Sequence, residues 1–411
     1  MNMRDLSEDE VLRERMDKLL HLIWADWAVG QVNGVRGGGR TRIYQDESHN
    51  ERRLTQWGSR DRWRYMSHAL LNTGEWWSSW QVPNHPIQGM TFVMATTGYR
   101  LPDVIMDIAL DVEGRGEYTY VVRRVAKQKQ MLAKDIPVMH APWYALDPED
   151  PRMIGYDYST PNYVMGSLMI DPSLPRVSSH LYKDGKDLPE GYPALTSQNR
   201  YHGIVFVSDV NARVVPQCEG LANGKTYGEQ QAVQYKNVLL VQRHAMAKTT
   251  GDMRVIWGGK GMRSRIVERS GWQIIREGNT WLGVKGFSRT KSNASCGSSW
   301  DNDVILRMND GKAPVALIAG RIKDFSNIDA FAKYLQGFAG KLEDGRFILT
   351  EGSKDFLSLH LESGALPEIY GKPINLNPDM LFDSPFISSK HGSGVVTIDK
   401  GHRKLKIDMG F

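Results

Sequence analysis

The sequence predicts an α+β protein in which a short N-terminal helical region is followed by a large antiparallel β-sandwich. Two observations carry that prediction. Near the N-terminus the apolar residues recur at the helical period, and beyond Tyr192-Pro193 they fall into short β-rich runs at close spacing, several of them divided by turn signals. No helices alternate regularly with those runs, so the strands are expected to pair antiparallel rather than through parallel crossovers. A length of 411 residues accommodates two domains. We draw them as a helical region over 1–150 and a sandwich over 151–411.

The first helix rests on Leu12, Met16, Leu19, Leu20, Ile23, Trp24 and Trp27, which share one helical face. Ser7 with Glu10 three residues later reads as a capping box and starts it near Glu8. Gly30 and Gly34 are stops, and Trp24 and Trp27 are assigned to the core. A second helix is expected over Asp61–Leu71, ending at Asn72-Thr73-Gly74. A third is expected over Pro102–Leu110, with proline in the first turn. Glycine- and proline-rich loops fill the remainder up to about Pro175, and the tyrosine-rich stretch from Tyr156 to Tyr163 is read as irregular.

In the second half strands are expected at Gly203–Val207, Val233–Arg243, Arg254–Trp257, Trp272–Glu277, Trp281–Phe287, Val304–Met308 and Val315–Ile322. Further strands follow at Arg346–Thr350, Phe356–Leu361, Val395–Ile398 and Lys404–Asp408, and one helix, Asn327–Phe338, interrupts the series. Three N-terminal helices are too few to close a helical toroid. They are expected either to form a small flanking domain or to be completed by a second chain or a further copy of this one.

Composition removes several function classes. Hydrophobic residues at 41% and charged residues at 24% fit a packed globular chain rather than a disordered one. A net charge of +5 is too small and too dispersed for a dedicated nucleic-acid binder. No apolar run is long enough to cross a bilayer. Met1-Asn2-Met3-Arg4-Asp5 leads into no signal-peptide core, so a cytoplasmic location is expected unless a leader has been removed, which would make the protein secreted or periplasmic. Cys218 and Cys296 are too few for a disulfide framework and match no zinc spacing. There is no His-x-x-x-His pair, Gly-x-Ser-x-Gly elbow or dinucleotide fingerprint, so zincin, serine-hydrolase and hydride-transfer chemistry are disfavoured. Neither metal nor cofactor is expected.

Three segments combine side chains suited to an anionic sugar. Arg36, Arg40 and Arg42 surround Gly37-Gly38-Gly39, where guanidinium forks fit carboxylate or sulfate and glycines allow close backbone approach; Tyr44 and His49 follow directly. Trp76, Trp77 and Trp80 crowd a loop, where exposed indoles stack on the apolar faces of sugar rings. Gln198, Asn199, Arg200 and His202 stand next to the apolar run Ile204–Val207. On a strand Asn199 and Gly203 would face one way, with Arg200 and His202 facing the other. Tyr158 and Tyr163 add hydroxyls upstream. Asp103, Asp107 and Asp111 recur at four-residue spacing on the third helix, where they repel one another unless solvated or matched by cations.

The segments Gly271–Lys285, Asp383–Ile387 and Gly392–Ile398, together with Ser197–Gly203, resemble strands and turns of heparinase II/III-type polysaccharide lyases and related toroid-plus-sandwich carbohydrate-active enzymes. The likeness covers roughly the last half of the chain, and the N-terminal helices would correspond to part of an α/α toroid. It implies β-elimination on a uronic-acid-containing polysaccharide or oligosaccharide. Asn199 or Arg200 would neutralise the substrate carboxylate, His202 would take the C5 proton, and Tyr158 or Tyr163 would protonate the leaving oxygen. Arg36, Arg40, Arg42, Tyr44, His49, Trp76, Trp77, Trp80 and Gln198 would bind the chain of sugars. The alternatives are a glycoside hydrolase using an Asp/Glu pair and a non-catalytic polysaccharide-binding subunit.

Overall fold

The computed structural model describes residues 2–32, 35–37, 97–124, 153–172, 202–208, 212–218, 230–243, 253–258, 262–287, 295–296, 304–307 and 313–410. These residues form an α+β arrangement dominated by antiparallel sheets. The largest sheet has twelve strands and the next six; a third has five, and a two-residue pair joins Gln31–Val32 to Val35–Arg36.

The twelve-stranded sheet runs Ser295–Cys296, Val304–Arg307, Met253–Gly258, Arg213–Cys218, Gly203–Phe206, Tyr163–Ile170, Met153–Ser159, Tyr118–Arg124, Met380–Asp383, Ile387–Lys390, Val395–Lys400 and Arg403–Asp408. One face packs on the six-stranded sheet through Met165, Phe206, Trp257, Leu239, Leu282 and Leu317, all buried. The far side of the six-stranded sheet is covered by helix Ile328–Gln336 and the five-stranded sheet, with Trp272, Trp281, Phe331 and Phe347 between them. The sandwich is therefore present, with a third β layer added.

The N-terminal helix spans Glu10–Val29 and follows a short helix, Asn2–Leu6. Its cap is Asp9 rather than Ser7: the Asp9 carboxylate accepts from the Val11 and Leu12 amides at 2.9 and 3.1 Å. Replacing Asp9 with alanine is expected to cost about 1 kcal/mol in a denaturant titration, with a Ser7→Ala control losing only a few tenths. Gly30 ends the helix, as the sequence implies. Trp24 and Trp27 are buried and meet edge-on at 5.3 Å. They pack with helix Asp103–Leu110, with Phe382, Ile398 and Ile407 of the last strands, and with Phe386 between two of them. The described N-terminal helices thus share one core with the C-terminus of the chain. Strand Tyr118–Arg124, which precedes residue 150, pairs with both Met153–Ser159 and Met380–Asp383.

The three aspartates in and just after helix Asp103–Leu110 meet cations. Arg403 reaches Asp107 at 2.7 Å and Asp103 at 3.7 Å, while Lys400 reaches Asp111 at 2.9 Å. Nearby, His21 Nδ1 and the Tyr99 hydroxyl are 2.8 Å apart. Burial, the largest influence, holds the His21 pKa below its ordinary 6.5. The unfolded chain therefore binds this proton more readily than the native one. Stability from the neutral ring is complete above pH 6.5 and declines as pH falls through the lowered value. A His21→Gln variant should lose less melting temperature than the parent between about pH 7 and pH 5.

Several expectations are corrected. Tyr118–Arg124, Met153–Ser159 and Tyr163–Ile170 are strands in what was read as loop. Val233–Arg243 is a hairpin, Gln230–Tyr235 and Val238–Arg243, turned at Lys236 with φ of 49°. The helix expected to reach Phe338 stops at Gln336, Gly337 caps it, and Phe338 opens a strand. The expected helix Asp61–Leu71 lies outside the described residues.

Candidate functional site

One end of the sandwich gathers polar side chains between its two main sheets. The hairpin Met153–Ser159/Tyr163–Ile170 is turned by Thr160, whose hydroxyl donates to the Tyr163 carbonyl and accepts from the Asn162 and Tyr163 amides, each at 3.1 Å. Tyr158 pairs across the hairpin with Met165, so Tyr158, Tyr163 and Met165 share the inter-sheet face. The two tyrosine rings lie 6.1 Å apart between centroids.

The Tyr158 hydroxyl donates to Glu117 Oε1. Glu117 Oε2 is held by Arg321 Nη1 at 2.6 Å, and Arg321 Nε reaches Asp324 at 2.9 Å. Glu117 precedes strand Tyr118–Arg124 and Arg321 ends strand Val315–Arg321, so this group ties the two sheets together. Burial first, and the neighbouring Glu117 carboxylate second, raise the Tyr158 pKa far above that of a free phenol. Tyr163 is raised mainly by its complete burial. Both phenols stay protonated at neutral pH. The Glu117 side chain is 37% exposed, whereas Tyr158 is only 6% exposed. Glu117 is therefore the more accessible member of the pair.

A second carboxylate stands on the facing sheet. Glu277 pairs with Thr280, and Thr280 with Arg321, so the three lie in one cross-strand row on the same face. Glu277 accepts from Ser208 Oγ at 2.9 Å and from Arg265 Nη2 at 2.5 Å. Between the two charged groups the Thr280 hydroxyl is fully buried and has no hydrogen-bond partner among the described residues. The end of the sandwich therefore holds a carboxylate–tyrosine pair, a second carboxylate and two guanidinium groups. Such a set can bind an acidic ligand and move protons.

Of the residues singled out from sequence, Tyr158 and Tyr163 come together here. His202 does not join them. It is 2% exposed and its Nδ1 accepts from the Leu168 amide at 3.4 Å, three residues along the strand from Met165, or about 10 Å. Arg36 lies in the short strand Val35–Arg36. The next residue, Gly37, approaches the sheet so closely that a Cβ built on Gly166 would lie 2.6 Å from the Gly37 carbonyl carbon. This first glycine of the cluster serves backbone packing against the sheet. Arg40, Arg42, Tyr44, His49, Trp76, Trp77, Trp80, Gln198, Asn199 and Arg200 lie outside the described residues. Glu117, Arg321, Glu277 and Arg265 were missed. Each is a single charge near a strand end, and only the sheet pairing unites them; Glu277-Gly278-Asn279 was visible only as a turn.

No helix among the described residues is long and apolar enough to cross a membrane. No protein-family model matches the chain, and no curated protein matches it.

Proposed function

We propose that the chain is a carbohydrate-active enzyme that cleaves an acidic, uronic-acid-containing polysaccharide by β-elimination at the Glu117–Tyr158–Arg321 group. The observation that carries this reading is the contact between a protonated, buried tyrosine and a partly exposed carboxylate fixed by an arginine. β-Elimination needs a cation for the uronate carboxylate, a base for the C5 proton and an acid for the leaving oxygen. Arg321 supplies the first, and Arg265, at the end of helix Met262–Arg265, is held by Glu277. Glu117 takes the C5 proton in the place the sequence reading gave to His202.

Once Glu117 is neutral, Tyr158 gives its own proton to the leaving oxygen and regains one from Glu117. The C5–H and glycosidic C–O bonds break, a C4–C5 double bond forms, and the proton ends on the departing sugar. This relay spares Tyr158 a charge that its surroundings oppose. A second reading, hydrolysis by a carboxylate pair, is favoured by Glu277 standing in one cross-strand row with Arg321, which holds Glu117, since glycosidases work with two carboxyl groups across one bond.

The test incubates the full chain with a panel of uronic-acid polysaccharides while ultraviolet absorbance and reducing ends are followed together. Elimination raises both, because its product carries a conjugated double bond. Reducing ends without absorbance would transfer the assignment to hydrolysis and to Glu277. Silence in both channels would contradict the enzyme reading.

A further inference from the structure

Strand Thr280–Gly286 carries a lysine in a row of apolar residues. Lys285 pairs with Ala316, Ala316 with Leu240 and Leu240 with Val233. Those three partners are fully buried, on the face that helix Ile328–Gln336 and the five-stranded sheet cover. Cross-strand partners share a face, so the half-buried Lys285 joins this apolar surface.

No carboxylate meets it. Lys285 has no hydrogen bond or ion pair among the described residues. Its Nζ lies 5.1 Å from the centre of the Phe287 ring and 5.5 Å from that of Trp272, and the two rings meet edge-on at 6.2 Å. Rings at these distances favour the charged form less than a carboxylate would. Burial lowers the lysine's pKa, so the neutral amine is more populated than in a solvated lysine.

The amine also has an open approach. Ser270 and Gly271, with φ of 53° and 74°, turn the chain between strands Val267–Arg269 and Trp272–Glu277, and Gln336 Nε2 donates to Ser270 Oγ at 2.6 Å. A Cβ built on Gly271 would meet, among the described residues beyond its chain neighbours, only Lys285 Nζ and Cε, at 3.8 and 3.9 Å. The space over Gly271 therefore ends at the amine. In the same cluster the Trp272 indole N–H is buried without a hydrogen-bond partner among the described residues, leaving one donor unused.

We propose that Lys285 is a covalent site for a small aromatic aldehyde, which enters over Gly271, lies against Trp272 and Phe287 and condenses with the amine to an imine. The neutral amine adds to the carbonyl carbon and a C–N bond forms. The carbonyl oxygen departs as water with both amine hydrogens, and a C=N bond remains. Desolvated lysines are well suited to this step. A methionine would fill an apolar row without burying an amine, so packing alone does not call for a lysine here. Lys285 stands about 17 Å along the strand from Thr280, and the proposal does not rest on the elimination reading.

The experiment treats the full chain at neutral pH with substoichiometric benzaldehyde and sodium cyanoborohydride, and peptide mass spectrometry reads which lysines gain the reduced adduct first. A second sample receives acetic anhydride, which reports amine reactivity without an aromatic ring. Lys285 should lead the aldehyde labelling by at least about fivefold over the exposed Lys372 and Lys406, with a smaller lead towards acetic anhydride. Lys285→Met should abolish that adduct while the melting temperature holds or rises. Labelling of Lys285 no faster than of Lys372 and Lys406, an equal lead with acetic anhydride, or a marked loss of melting temperature in Lys285→Met would each overturn the proposal.

Discussion

Replacing Tyr158 with phenylalanine should lower the elimination rate by about 10²–10⁴-fold, the usual contribution of one positioned acid–base group. The ring fills the same volume between the sheets, so the substitution removes a proton and one hydrogen bond and little else. The fall should appear in kcat with KM nearly unchanged, because Arg321 and Glu117 still meet the substrate. Glu117→Gln removes the base and should fall at least as far. A Tyr163→Phe control should lose much less, since Tyr163 is only 2% exposed, with its ring 6.1 Å from that of Tyr158. Equal losses at Tyr158 and Tyr163 would point to packing rather than proton transfer. Measuring initial rates of absorbance for all three variants separates these cases.

The largest loss of stability is expected at Arg115. This side chain is 5% exposed and donates from Nη1 to the Ala28 carbonyl and from Nη2 to the Gln31 carbonyl, both at 2.9 Å. It places a cation at the C-terminal end of helix Glu10–Val29, where the helix dipole is negative. Tyr118 completes the arrangement by donating to the Val29 carbonyl at 2.6 Å. Arg115→Ala would strand the Gln31 carbonyl beside a cavity and leave the Ala28 carbonyl only a long bond, 3.4 Å, from Gln31 Nε2. We expect a loss of about 3 kcal/mol in a denaturant titration, the sum of typical charged hydrogen-bond and helix-end contributions. Arg115→Met, which fills the space but donates nothing, should recover only a minor part. A loss below about 1 kcal/mol in Arg115→Ala would show that water replaces the guanidinium.

Much of the fold was legible because its signals are local. Trp272–Glu277 was read to its observed ends, since Glu277-Gly278-Asn279 follows it at once. Asn327 capping helix Ile328–Gln336 is equally local, its side chain accepting from the Ala330 amide at 2.9 Å. The hairpin at Met153–Ile170 escaped because nearly every residue in it is buried, on both faces. Strands covered on both sides lose the alternation that marks a half-exposed one, and Pro161 and three tyrosines reinforced the look of a loop. The same burial explains the site. Tyr158 was found by residue type, but Glu117 and Arg321 are distant in sequence and neighbours only through the sheets. His202 attracted attention as a polar residue beside an apolar run, and the structure puts its ring against the Leu168 amide.

The most direct test of the central claim is the mass of the products formed from a uronate hexasaccharide by the full chain. Elimination divides the substrate without adding atoms, so the two product masses should sum to that of the hexasaccharide, with the unsaturated ring at the new non-reducing end. Products whose masses together exceed the substrate by one water would show hydrolysis and contradict the assignment of Tyr158 and Glu117 as an elimination pair.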